Sequence, residues 1–186
     1  HGGTLYVGDE NRTPQPMFAA IAKLKQNQQI NPKNLEIIFR ATGCDKTIQN
    51  MITQSGIADI VTIKPAIPYN KAIEELFQVD GLLLLQGKNY NHQVPAKLYE
   101  YFRAKKPFLA LTDPQGDTAK TMQNVGINTI TPLHDEEKIA DYFMELINSI
   151  NTNNPNIAQQ ATLNSFSRRA GAKELALVFD GIINKD

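Results

Sequence analysis

The sequence predicts an α/β domain built on a doubly wound parallel sheet of about six strands, with flanking helices and extra C-terminal helices. Three observations carry that reading. Short apolar runs alternate with segments of helical period, as in βα units. The runs are apolar throughout rather than alternating with polar residues, which suits parallel strands buried on both faces. Finally, 186 residues with 41% hydrophobic content bury one good core and are too few for two domains of average size.

The predicted strands are residues 4–7, 35–39, 60–63, 81–85, 108–111 and 128–130. Between them the apolar spacing changes to three and four. Thr13 and Pro14 read as a helix cap and first helical position, and Met17, Ile21 and Leu24 then line one face. Asp135 opens a second clear helix, with Ile139, Phe143, Leu146 and Ile150 on one stripe. Further helices are predicted over 46–55, 71–78, 96–105 and 118–125, each bounded by Gly, Pro or Asn. An Asn-rich break at 151–156 precedes two terminal helices, 157–169 and 172–183, packed outside the sheet. The domain spans 4–186. His1-Gly2-Gly3, leading straight into an apolar strand, reads as residual tag sequence on an excised fragment.

Composition removes several function classes. Lys plus Arg (19) equals Asp plus Glu (19), so no summed field favours nucleic acid or an acidic membrane, and any phosphate site is local. Cys44 has no partner for an internal disulfide, and His1, His92 and His134 lack metal-ligand spacing. No continuous apolar run, Leu82–Leu85 included, comes near the roughly 20 residues that span a bilayer. A reduced, cytoplasmic, metal-free protein is expected.

In an open parallel sheet, ligands bind beyond the carboxyl ends of the strands. The first of these loops, Gly8-Asp9-Glu10-Asn11-Arg12, lacks the G-x-G-x-x-G of a dinucleotide site. Gly87-Lys88 is no phosphate-binding loop, because Leu82 stands five residues earlier and Asn89 replaces the metal-binding hydroxyl. No Ser or Cys has a nucleophile-elbow context. The informative stretch is VPAKLYEYFRAKKPFLAL, residues 94–111, a helix followed by a strand. Leu98, Tyr101 and Phe102 share the arc that packs on the sheet; Lys97 and Glu100 share a neighbouring arc aimed at the strand ends. A carboxylate accepts two hydroxyls at once and suits a ribose diol, whereas an ammonium beside a helix N-terminus suits a diphosphate, although Pro95 contributes no donor there. Equally, the two could form a surface ion pair worth about 0.2–0.5 kcal/mol.

That stretch resembles the signature region of retaining family-four glycosyltransferases, which have the GT-B fold. The order of other landmarks resembles the same family: a first strand ending at Gly8, Asn34-Leu-Glu-Ile-Ile-Phe followed by Thr42-Gly43, Ile60-Val-Thr-Ile, Ile67-Pro68-Tyr69, Ala72-Ile73-Glu74-Glu75-Leu76-Phe77, Asp80-Gly81-Leu82, and the closing Phe166-Ser167-Arg168-Arg169. The resemblance implies a Rossmann-like C-terminal half that binds a nucleotide-diphosphate sugar, with the N-terminal acceptor domain absent. By it, Glu100 matches the second glutamate of the family's pair, on the donor ribose. Arg12, with Lys97 as a second candidate, matches the cation on the diphosphate. Pro68 and Tyr69 lie where the base is held, and Gly8, Gly87 and Val94 border the sugar and diphosphate. His92 stands where the family has its first glutamate; it either replaces that contact or is an exposed loop residue. The loop Thr112-Asp113-Pro114-Gln115-Gly116-Asp117 is either the family's loop or a Pro-Gly turn whose Asp117 caps the next helix.

The resemblance further implies a hexosyltransferase-like enzyme when full length and an inactive isolated domain, acting in surface polysaccharide synthesis. The donor would be a UDP-, GDP- or ADP-sugar, with no metal or other cofactor, in keeping with the absence of a D-x-D motif. No catalytic group is assigned to this half. The location is cytoplasmic, or peripheral at the inner face of the membrane through the missing domain. Two alternatives stay open: the nucleotide-binding half of a sugar-nucleotide epimerase, and a non-catalytic flavodoxin-like or receiver domain. Asp9 and Glu10 suit the latter's acidic pocket, whereas Leu111-Thr112-Asp113 lacks its lysine.

Overall fold

The computed structural model describes residues 2–5, 7, 13–159 and 163–183. Gly8 and Arg12 lie outside the described residues. Strands β1 (Ile37–Arg40), β2 (Val61–Lys64), β3 (Leu82–Leu85), β4 (Phe108–Leu111) and β5 (Ile130–Thr131) alternate with helices α1 (Gln15–Gln26), α2 (Asp45–Gln54), α3 (Tyr69–Gln78), α4 (Ala96–Ala104), α5 (Asp117–Asn124) and α6 (Glu136–Asn151). After the Asn-rich break, a single turn of 3-10 helix (Asn164–Phe166) leads into α7 (Arg168–Ile183). No described helix is long and apolar enough to cross a membrane.

All described pairings are parallel, as the apolar runs predict. The sheet is not one six-stranded layer, however. β1 and β2 form a two-stranded sheet, and β3, β4 and β5 form a three-stranded one. The chain leading into the predicted first strand, read above as tag sequence, pairs with β1 through a parallel bridge between Gly2 and Arg40 and the Gly3 N–H bond to the Arg40 C=O, followed by the Leu5 N–H bond to the Thr42 C=O, both bonds 2.9 Å. It therefore runs along β1 at and beyond that strand's carboxyl end.

Two apolar cores occupy the two faces. Ile37, Phe39, Leu83, Leu109 and Leu111 point into the first, against α1, α2 and α6. Leu82, Leu84, Phe108 and Ala110 point into the second, against α4 and α5. The period of two along each strand produces this split. In the first core Phe18 and Phe39 meet edge to face with centroids 5.9 Å apart. In the second, Phe102 packs against Phe108 and Phe166 at 6.0 and 6.1 Å, tying the segment before α7 to α4.

Most helices start and stop within a residue or two of the sequence reading. The Thr13 hydroxyl accepts the Gln15 N–H at 3.3 Å, and the Asp135 carboxylate accepts the Lys138 N–H at 3.1 Å. Three expectations need correction. The helix predicted over 157–169 is not continuous: among its described residues, 157–159 are irregular and Ser167 is extended between the 3-10 turn and α7. Asp117 is the first residue of α5 rather than its cap; Gly116 holds the cap position, and the Asp117 carboxylate pairs with Lys120 at 3.2 Å. Lys105 does not extend α4 but ends it with φ 52°, and a left-handed turn cannot propagate a right-handed helix.

Candidate functional site

A cavity of about 650 Å³ opens at the carboxyl ends of β1 and β2. Its mouth is lined by Gly3, Arg40, Ile67, Tyr69, Lys97 and Glu100. The loop after β2 and the first residue of α3 supply Ile67 and Tyr69. The first two turns of α4 supply Lys97 and Glu100, because Leu98, Tyr101 and Phe102 are committed to the sheet and buried to 2% exposure or less. Helical spacing then leaves the neighbouring arc facing the opening.

The Tyr69 hydroxyl donates to Glu100 Oε1 at 2.9 Å, across 31 residues of sequence. That bond, more than the adjacent negative charge, raises the Tyr69 pKa from its ordinary value. One turn earlier, Lys97 Nζ donates to the Gly2 carbonyl at 2.7 Å. Gly3 has φ +118°, a backbone conformation that favours glycine. Tyr69, Lys97 and Glu100, predicted separately as donor contacts, thus converge on one opening. Pro68, Gly87, His92 and Val94 lie outside the cavity lining. Gly87 is buried at the end of β3, His92 and Pro68 are exposed, and Val94 packs against the second core.

An ion pair absent from the sequence reading braces the mouth. Arg40, the last residue of β1, holds both carboxylate oxygens of Glu75 on α3, the Nε bond at 2.7 Å, and donates from Nη1 to the Pro65 carbonyl at 2.7 Å. It thereby fixes α3 and the loop that leads to Tyr69. The available signal was a charged residue closing an otherwise apolar strand, but nothing local pointed to a partner 35 residues away.

The hydrogen bonds from Arg40 hold the Glu75 carboxyl below its usual range. Glu75→Gln is expected to cost about 1–2 kcal/mol at neutral pH, measured by urea unfolding. A lowered folded-state pKa gives stability that is complete above the unfolded value near 4.3 and lost as pH falls through the folded one. The variant's deficit should therefore shrink below about pH 4; a deficit independent of pH would refute this assignment.

Outside the cavity lining, the β3–α4 loop has its own network of hydrogen bonds. Buried Gln86 donates to the carbonyls of Tyr90 and Gln93 at 3.1 and 2.7 Å and accepts from the Thr112 hydroxyl at 3.0 Å. Asn91 donates to Asp113 at 2.7 Å, and the Asp117 N–H donates to the Asn91 carbonyl at 2.8 Å. The bonds of Gln115 N–H and Asn91 lower the Asp113 pKa. These contacts lock the loops after β3 and β4 together and hold the chain that leads into α4. Among the described residues, no group of three His, Cys, Asp or Glu could hold a metal ion.

No family model and no curated protein sequence matches the chain. Solved structures do match its shape. One is a mutant of S. aureus TarM in complex with fondaparinux, alpha-GlcNAc-glycerol and UDP, with a TM-score of 0.65 at 13% identity over 100% of this chain. Another is the pneumococcal O-GlcNAc transferase GtfA in complex with UDP and GlcNAc, with a TM-score of 0.60 at 14% identity over 99% of this chain. The chain spans 35% of the length of each. It thus carries the parallel α/β fold of about a third of two proteins that were both solved with UDP.

Proposed function

We propose that the chain is the donor-binding, C-terminal half of a GT-B glycosyltransferase, taking a nucleotide-diphosphate sugar for transfer to a glycan or lipid-linked acceptor held by an N-terminal domain. The observation that carries this reading is the convergence of Tyr69, Lys97 and Glu100 at one opening beyond the strand ends. The shared fold of the two UDP-bound structures supports it. In this reading Glu100 accepts the two ribose hydroxyls, and the base lies over the loop from Ile67 to Tyr69. Lys97 and the first N–H groups of α4 face the diphosphate; with Arg12, they offset the negative charge that grows on it as the glycosyl bond breaks. No metal is assigned a part. The resemblance assigns Gly8, Gly87, His92 and Val94 to the sugar and diphosphate, which in this reading extend beyond the cavity lining.

Calorimetric titration of the chain with UDP, GDP and ADP tests this. Saturable binding of one diphosphate nucleotide, with a preference that names the base, is expected. Absence of binding by all three at millimolar concentration would sink the proposal.

A further inference from the structure

Helix α7 carries an apolar face that no described element covers. Its spacing is that of a buried helix: Leu175, Val178, Phe179, Ile182 and Ile183 recur at intervals of three and four on one arc, and Gly171 and Ala172 continue that arc toward the N-terminus. Yet residues 171–183 are all exposed, those five large side chains by 54–72%. Among the described elements α7 packs appreciably only on the 3-10 turn before it, which Phe166 anchors on Tyr99 and Phe102. The stripe exposes roughly 600 Å² of contiguous apolar surface, the upper end of what a monomer ordinarily shows.

The order of residues along the helix indicates what fits it. Small residues occupy the first half of the stripe and large ones the second. Two copies of α7 laid antiparallel, with a two-fold axis at Leu175, therefore set Val178 and Phe179 of one helix on Ala172 and Gly171 of the other. A Cβ added at Gly171 would meet nothing within 4 Å, so the recess is open. Parallel pairing would instead set Gly171 on Gly171, leaving a gap, and crowd Phe179 against Phe179. The charges favour the same arrangement. Arg169, Lys173 and Asp180 share one flank of the stripe, the cations in its first half and the carboxylate in its second. Like flanks meet in an antiparallel pair, so Asp180 of each copy falls between Arg169 and Lys173 of the other. Two stripes together remove roughly 1,200 Å² from water, the lower end of the range for a stable interface. A membrane surface fits less well, because the polar face carries both signs rather than a surplus of lysine and arginine.

We propose that α7 is a dimerisation helix, which pairs antiparallel with α7 of a second copy of this chain about a two-fold axis at Leu175. No residue of α7 belongs to the lining of the nucleotide opening, so pairing leaves that opening clear and needs no nucleotide.

Sedimentation equilibrium of the 186-residue chain tests this. A mass of two chains is expected, with a dissociation constant below about 50 µM. Leu175→Glu, which brings two carboxylates face to face at the axis, should be a single chain at the same concentration. Residues of α7 belong to neither core, so the fold survives the substitution. Asp180→Lys should weaken pairing at least about fivefold, and adding Arg169→Glu and Lys173→Glu, which exchanges the charges, should restore it to within about threefold. A single-chain mass for the original protein at about 200 µM overturns the proposal and leaves the stripe to another part of a longer polypeptide or to a different partner. So does pelleting of single chains with vesicles of anionic phospholipid, which would make the occupant a membrane. A dimer that persists in Leu175→Glu, or a charge exchange that restores nothing, overturns it as well.

Discussion

Glu100→Ala is expected to weaken UDP binding about 10–100-fold while leaving the fold intact. Two hydroxyl bonds to a carboxylate are lost together, each worth about 1.5–3 kcal/mol before the return of water is counted. The side chain is only half-buried and its described partner is the exposed Tyr69 hydroxyl, so its loss opens no core cavity. Glu100→Gln should fall between, because an amide oxygen accepts without the charge. Tyr69→Phe should change affinity by less than about threefold, since the phenol must in any case leave Glu100 for a ribose to bind. The sharpest form of the test compares UDP with its 2′-deoxy analogue by calorimetry. Wild type should discriminate against the analogue and Glu100→Ala should not; equal affinity of wild type for both would refute the ribose assignment.

The largest effect on stability is expected at Phe39. It is 0% exposed, lies on the central face of β1 and meets Phe18 edge to face. Phe39→Ala removes a ring from the contact between α1 and the sheet and should cost about 3–5 kcal/mol in urea unfolding, the aromatic pair accounting for about 0.5–1.5 of it. Since domains of this size are stable by only about 5–15 kcal/mol, the variant should be partly unfolded at moderate denaturant. Phe39→Leu, which keeps most of the volume, should recover more than half of the loss. A cost below about 1 kcal/mol for Phe39→Ala would mean that the first core can collapse around the vacancy.

The strands, their parallel sense and the helix faces were legible because each rests on residues near in sequence. Four apolar residues in a row at 82–85 and the three-four spacing of Met17, Ile21 and Leu24 need no tertiary information. The same local logic put Lys97 and Glu100 on one arc. What escaped was set by distant partners. Arg40 finds Glu75 and the Pro65 carbonyl, and Glu100 finds Tyr69, through folding alone. The division of the sheet escaped for a related reason: an apolar run at 4–7 announces a strand but not its register, and here the register places it at and beyond the end of β1. The break at Ser167 escaped as well, because the anchoring of Phe166 on Tyr99 and Phe102 is a contact between distant residues.

The contact between α1 and α6 joins the first helix to one that follows all five strands in the chain. During synthesis the buried face of α1, Met17, Phe18, Ile21 and Leu24, leaves the ribosome long before Phe143 and Leu146 exist to cover it. At about 5–20 residues per second that interval lasts several seconds, during which the nascent chain carries an uncovered apolar helix. Compaction should therefore come late and nearly all at once. Arrest-peptide force profiles would register it as a single pulling peak once α6 has cleared the exit tunnel.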